Sequence, residues 1–358
     1  MVSTGVSHFS HDDCLGSVVC HILVRRWMCG THNEPGHLKM HASEEEPKAP
    51  AMAQEETGRP VWSVMIPAYN PRADYLDQAL RSVLAQDPGS DRMQIELVDD
   101  CSTKVDVASM VRSIAQDRIA FSANSRNLGL AGCWNACIGK AQGQWIHILH
   151  QDDYVLPGFY ERIEAAASAH PDVCLIATRT FNVDRDGFIE SVTPRVPGLE
   201  DGGNTVADFY YAVPISCPGV VVRRSFYAQH GGFRSDLTYT LDVEMWARVV
   251  SRCGGLVLPD VVAVSRQHPG NETFRLLHTT EGLKDLWRLS EVFARTFPEF
   301  DPRRARKAVC RQALDASERL SLAGDIDAAR DQRRFWRQNA SFGEKVRQCL
   351  RGVAQRIL

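Results

Sequence analysis

The sequence predicts an α/β fold, a mostly parallel sheet flanked by helices, with a helical extension at the C-terminus. Three observations carry this expectation. Short β-rich runs alternate with amphipathic helical stretches from Pro60 to Leu149, as in a parallel sheet covered by helices. Successive predicted strands end in polar residues, at the sheet edge where such folds gather ligands. Helical periodicity resumes after about residue 280 and runs to the end, with breaks expected at Gly324 and Gly343.

Taken in order, Val61 to Pro67 is a β-rich run closed by an Ala68-Tyr69-Asn70-Pro71 turn. The stretch from Tyr75 to Gln86 places Leu76, Ala79, Leu80, Val83 and Leu84 on one helical face. Ile95 to Val98 forms the second strand and runs into Asp99-Asp100-Cys101-Ser102-Thr103. A helix from about Val105, a strand at 119–122, a helix from about Ala131 to Ala141 and a strand from Trp145 to Leu149 follow. A helix near 158–168 and a strand at 173–180 extend the sheet. Residues 181–216 read as loops and short elements, Cys217 to Val222 as a strand, Asp242 to Arg252 as a helix and Leu256 to Val264 as a strand.

Composition narrows the function classes. The 358 residues are 44% hydrophobic and 24% charged, with a formal net charge of −3, an ordinary globular balance with no basic excess for nucleic acid. That balance sums unlike parts: residues 1–58 carry 4 basic and 8 acidic side chains, 59–300 carry 23 and 29, and 301–358 carry 14 and 7. Three regions are therefore expected: an N-terminal extension over 1–58, disordered or preceding a true start at Met52; a globular α/β unit over 59–275; and a basic helical region over 276–358. The first holds six of the twelve histidines and three cysteines, but their spacing fits no standard zinc pattern. Eleven scattered cysteines without a CxxC pair suggest a reducing compartment, hence a cytoplasmic location. No stretch approaches the roughly 18 apolar residues of a membrane helix, and the Leu15–Val24 run lacks the flanks of a signal peptide.

Chemistry concentrates at the strand ends. Tyr69-Asn70, Asp99-Asp100 and His150-Gln151-Asp152-Asp153 close the first, second and fourth strands. Carboxylates gathered in one crevice repel unless a cation sits between them, so a hard divalent ion and a phosphate-bearing ligand are implied. No GxGxxG is present, and the Gly132 to Gly139-Lys140-Ala141 stretch fails as a phosphate loop on both spacing and its final residue.

These residues resemble an inverting glycosyltransferase of family 2 with the GT-A, nucleotide-diphospho-sugar transferase, fold. The resemblance spans residues 61–270. It is carried by Ser63-Val64-Met65-Ile66-Pro67-Ala68-Tyr69-Asn70, Ser82-Val83-Leu84-Ala85-Gln86, Val98-Asp99-Asp100-Cys101-Ser102-Thr103, Asn127-Leu128-Gly129 with Asn135, and Ala141-Gln142-Gly143. Gln151-Asp152-Asp153 with Pro157, Gly231-Gly232-Phe233, Leu241-Asp242-Val243-Glu244-Met245-Trp246-Ala247-Arg248 and Arg266-Gln267-His268-Pro269-Gly270-Asn271 follow in family order.

The resemblance implies a metal-dependent transfer, with Mn2+ or Mg2+, from a nucleotide-sugar donor to a glycan or lipid-linked acceptor in cell-surface polysaccharide synthesis. Pro67, Tyr69, Asn70, Asp99, Asn127, Gly129 and Asp152 would bind the donor, Asp153 and His268 the metal, and Asp242 would be the catalytic base. Two positions depart from the family pattern: His150 stands where an Asp is common, and Leu241 where a Glu often precedes the base. Second readings stand beside several roles. Asp242 could cap its helix, leaving Glu244 as base; His268 could be a structural hydrogen bonder; Asn127 and Asn135 could shape turns; Trp134 could stack on sugar or pack in the core. The last segment, with Val346, Cys349, Leu350, Val353, Ala354, Ile357 and Leu358 on one face flanked by Lys345, Arg347, Arg351 and Arg356, fits either an anionic membrane surface or a docked helix. A non-catalytic sugar-nucleotide or glycan binder on the same fold is the alternative function.

Overall fold

The structure, a computed structural model, describes residues 58–200, 209–211, 214–268, 270–271, 276 and 279–348. The N-terminal extension, Met52 and the last ten residues of the basic segment lie outside the described residues. The strands are β1 (Trp62–Ala68), β2 (Met93–Asp99), β3 (Ala120–Ala123), β4 (Trp145–Ile148), β5 (Tyr154–Val155), β6 (Leu175–Val183), β7 (Ile189–Val192), β8 (Val220–Arg223) and β9 (Gly255–Arg266). The helices used below are α1 (Ala73–Leu84), α2 (Val107–Ala115), α3 (Gly129–Lys140), α4 (Phe159–Ala169), α5 (Arg224–His230), α6 (Leu241–Cys253), α7 (Glu281–Thr296), α8 (Pro302–Leu322) and α9 (Ile326–Asn339).

One sheet runs in the order β3-β2-β1-β4-β8-β6-β9-β5, with β7 paired to β6. The half from β3 to β4 is parallel throughout. Beyond β4 the sheet is mixed: β8 is antiparallel to both β4 and β6, whereas β9 is parallel to β6. All seven residues of β1 are buried, as expected for a central strand covered on both faces. Leu76, Ala79, Leu80 and Val83 of α1 are fully buried, and Leu76, Leu80 and Val83 share one cluster with Val64 and Ile66 of β1, the face that the helical period predicts. Gly143 is required by close approach, because a Cβ there would lie 2.4 Å from the Trp62 carbonyl carbon.

Several elements differ from expectation. The strand expected from Cys217 begins as a 3-10 turn over Cys217–Gly219; Pro218 cannot donate to a ladder, so pairing starts at Val220. The two-residue β5, the edge strand β7 and helix α5 carry too short a period to be read locally. A break falls at Gly324, which takes a left-handed φ of 86°, but Gly343 is helical and the second break sits at 340–341. There Ser341 donates its N–H and hydroxyl to Glu344 and accepts the Glu344 N–H in return, a capping box that outweighs the glycine as a boundary signal.

The expectation of reduced cysteines is corrected for one pair: Cys174 and Cys253 form a disulfide across 79 residues. The pairing of β6 with β9, with Leu175 opposite Gly255, brings their Cα atoms to 5.4 Å, which no sequence spacing reveals. Cys101, Cys133, Cys137, Cys217 and Cys310 are free thiols. Helix α7 joins the core of the sheet domain: Leu289 and Phe293, with Phe297 and Phe300 after it, share one cluster with Met65, Val98, Trp134 and Trp246. The chain beyond residue 275 is thus packed into the sheet domain through its first helix. Among the described residues, no helix is long and apolar enough to cross a membrane.

Candidate functional site

The parallel half of the sheet places the ends of β1, β2 and β4 side by side. Pro67 lies inside β1, paired to Val98, and Tyr69 emerges beyond the strand with 47% of its surface exposed. Asn70 adopts a left-handed φ of 47°, and its Oδ1 accepts the Thr103 and Lys104 N–H groups at 2.9 and 2.8 Å. Both Asp99 oxygens accept from Ser102 N, and Oδ1 also from the Ser102 hydroxyl. These bonds lock the first two strand ends together. Gln151 adds the third, because its Oε1 accepts Tyr69 N at 2.8 Å and its Nε2 donates to Tyr69 O.

Asp100, although adjacent to Asp99, is spent structurally. Its buried carboxylate accepts from Asn124 Nδ2, Leu128 N and Gly129 N, which satisfies the start of α3. Asn127 Oδ1 accepts Gly129 N at 3.0 Å, so the Asn127–Gly129 pair forms the turn entering that helix, beside the β2 end. Asn135, further along α3, bonds both the N–H and the carbonyl of Phe233 and thereby positions the Gly231-Gly232-Phe233 loop.

The fourth strand end carries a cluster. His150, Asp152 and Asp153 each offer a ligand atom, all within 4.8 Å of one another, and no other such group of three exists among the described residues. His150 Nδ1 lies 3.2 Å from Asp153 Oδ2; its ring stacks on Trp134 at 4.9 Å, and its Nε2 is buried without a hydrogen-bond partner. Trp134 is therefore a core residue that supports His150. Asp153 Oδ1 accepts Arg266 N at 2.8 Å, and His268 Nε2 lies 2.9 Å from Asp152 Oδ2. Since His268 Nδ1 accepts Gly270 N, its Nε2 carries the proton and donates to Asp152.

Burial would raise both carboxyls. At Asp152 the His268 bond and the His150 charge outweigh it and hold the group low; at Asp153 burial and the Asp152 charge raise it. Burial opposes the charged form of His150, yet Cys217 and Asp153 beside it raise its pKa well above the ordinary value. Two carboxylates and an imidazole with ligand atoms within 4.8 Å of one another are a donor set that fits a divalent cation.

Asp242 is the second residue of α6 and half-buried. Burial lifts its pKa to about 6, against the pull of Val243 N and the His150 charge. Its Oδ1 takes one first-turn N–H, that of Val243, at 2.8 Å. The Cys217 thiol feels the charges of His150, Asp242 and Asp153, and Asp242 feels that of His150, so Asp242 lies within electrostatic reach of the cluster. Glu244 is buried and its carboxylate is taken up by Arg248, accepting from Nε at 2.8 Å and Nη2 at 3.1 Å. Arg248 also donates to the carbonyls of His230 and Gly232, so this ion pair builds the glycine loop. Replacing Arg248 by Met is expected to cost about 3–5 kcal/mol, because it strands a buried carboxylate; denaturant unfolding measures it. Trp246 is buried at 2% exposure.

Sequence reading passed over three contributors. His150 stands in the polar run that ends the fourth strand and departs from the acidic pattern, and Arg266 is part of a motif without a role. Gln151 had no signal besides its neighbours. Gln151 and Arg266 act through partners 82 and 113 positions away, whereas His150 meets Asp153 three positions on.

Residues 63–230 match the profile of Glycosyl transferase family 2. An uncharacterised protein of Mycobacterium tuberculosis is 26% identical over 255 residues, 67% of this chain and 78% of that protein. Succinoglycan biosynthesis protein ExoO of Rhizobium meliloti is 34% identical over 139 residues, 38% of this chain and 39% of that protein, so the match spans well under half of each. Among solved structures, the mannosyltransferase PcManGT of Pyrobaculum calidifontis, in complex with GDP-Man and Mn2+, covers 96% of this chain and 93% of its own at TM-score 0.52 and 16% identity, which establishes a shared GT-A fold. The strand ends and the acidic cluster lie within the matched span, and residues 63–230 of this chain form a glycosyl transferase family 2 domain.

Proposed function

We propose that this protein is a metal-dependent, inverting glycosyltransferase that moves a sugar from a nucleotide-sugar donor to a glycan or lipid-linked acceptor in polysaccharide synthesis. One observation carries the reading: the His150-Asp152-Asp153 cluster lies within electrostatic reach of Asp242, a carboxyl whose pKa is lifted to about 6. His150, Asp152 and Asp153 would hold Mn2+ or Mg2+, with His268 orienting Asp152 through its hydrogen bond. A bound divalent ion supplies charge neutralisation for a departing nucleoside diphosphate. Tyr69 and Asp99 at the β1 and β2 ends, with Pro67, Asn70, Asn127 and Gly129 around them, form the donor-side wall. Asp242 takes the proton from the acceptor hydroxyl as that oxygen attacks the anomeric carbon from the face opposite the diphosphate. Its raised pKa keeps it basic near neutrality without making it inert.

The homologue named for succinoglycan biosynthesis supports a polysaccharide role, and the neighbour solved with GDP-Man and Mn2+ supports the donor class and metal. An anionic membrane surface is the proposed second partner, at the cytoplasmic face: residues 342–348 are helical, with Phe342 and Val346 exposed beside Arg347. The test is a thermal-shift screen of UDP-, GDP- and dTDP-sugars with and without manganese. One donor is expected to raise the midpoint only when manganese is present, and to release nucleoside diphosphate on incubation. A panel with no donor-dependent shift and no release would overturn the reading.

A further inference from the structure

The loop that delivers Asp242 is held from outside the residues matched by the family profile. Three successive backbone N–H groups, those of Thr238, Tyr239 and Thr240, converge on the single carboxylate of Asp285 at 3.0, 2.9 and 2.8 Å. The Thr240 hydroxyl donates to the same carboxylate at 2.9 Å. Asp285 lies on α7, in the helical region after the sheet, and is fully buried at 0% exposure. Arg288, one turn later, is 3.9 Å away and half exposed, so the backbone amides and the hydroxyl provide most of the compensation that a buried carboxylate requires.

This arrangement replaces an ordinary helix cap. Thr240 is the N-cap residue of α6, yet its side chain makes no bond to its own helix; its hydroxyl points to Asp285 instead. Successive N–H groups curled around an anion form a rigid concavity, and the first residues of α6 leave that concavity directly. Asp242 follows Thr240 by two positions. We infer that Asp285 is a positioning residue that sets the orientation of the Asp242 carboxylate by fixing residues 238–240 from helix α7. The inference rests on the assignment of Asp242 as base. It also gives α7 a part in turnover, beyond packing Leu289 and Phe293 into the core.

The test uses the full chain with the donor selected by thermal shift, manganese present, and nucleoside diphosphate release as readout. Asp285→Asn keeps the shape but sets an amide donor against N–H donors. It is expected to lower kcat about 10–100-fold, the scale of a sub-ångström to 1 Å misplacement, with the donor KM within about twofold. Thr240→Val removes only the hydroxyl bond and is expected to lower kcat about 3–10-fold, while Thr240→Ser restores it. A purely structural role would instead lower the amount of folded enzyme, with the turnover of the folded fraction unchanged. Near-normal kcat in folded Asp285→Asn overturns the inference, as does a donor KM that rises in step with the fall in kcat. If Asp285→Asn does not fold, the Thr240 pair decides, and equal kcat for Val and Ser overturns it. Asp242→Asn is measured alongside: its failure to lower turnover removes the base assignment, whereas its loss together with a normal Asp285→Asn removes only the positioning role.

Discussion

Replacing Asp242 by Asn is expected to lower turnover by roughly 10²–10⁴-fold, the range a positioned general base contributes, while donor binding stays within about twofold. The same substitution is expected to stabilise the protein at neutral pH. The reason is linkage. The Asp242 pKa lies near 6 in the folded chain because burial penalises its charge, against an ordinary carboxyl near 3.9 when unfolded. Between those values the folded state holds a proton that the unfolded state has released, so stability from this group falls as pH rises through the window. At pH 7 the full penalty is present, on the order of 1–3 kcal/mol given partial exposure, and Asn removes it. A carboxylate kept at a cost to stability is what a functional site predicts. Activity should rise with pH through an acid limb near 6, because only the ionised form accepts a proton. Denaturation midpoints at pH 5 and 8 and a pH–rate profile check both halves. Asp242→Asn with near-normal turnover, or with a large loss of stability at pH 8, would count against the assignment.

The second large effect is expected at the cluster. Asp153→Asn should raise the manganese concentration needed for donor-dependent stabilisation by roughly 10–100-fold or more, and lower turnover by at least about 10²-fold. Asn preserves the acceptor for Arg266 N, bonded to Asp153 Oδ1 at 2.8 Å, so the local fold is retained. It removes the carboxylate facing His150 Nδ1 at 3.2 Å. His268→Gln should act more weakly, about tenfold on manganese, because His268 reaches the cluster through Asp152. Titration of manganese by calorimetry in the presence of donor separates the two. Equal effects at Asp153 and His268 would restore His268 as a direct ligand, in line with its sequence-based role.

Much of the site was legible because its residues stand at strand ends. Tyr69, Asp99 and the Gln151-Asp152-Asp153 run each follow a hydrophobic β-run, and a parallel sheet brings such ends together. What each side chain does there was less legible. Asp99 and Asp100 are neighbours in one motif, yet Asp99 closes on Ser102 while Asp100 anchors the start of α3. Adjacent residues of a strand point to opposite faces, so composition cannot divide their roles. Asp242 and Glu244 show the helical version: two positions apart they face different directions, and only Glu244 meets Arg248.

The sequence by itself determined the α/β alternation, the family pattern, the strand ends that carry chemistry and the identity of the buried helical faces. These depend on local period and residue type, which a chain displays before it folds. Only the tertiary structure decided the mixed half of the sheet, the Cys174–Cys253 bond and the bond of His268 to Asp152. It alone disclosed the hold of Asp285 on the loop before Asp242. Each of those joins groups whose separation in sequence bears no relation to their separation in space. Their pairing follows from the packing of strands and helices, and so do the electrostatic environments on which the proposed chemistry depends.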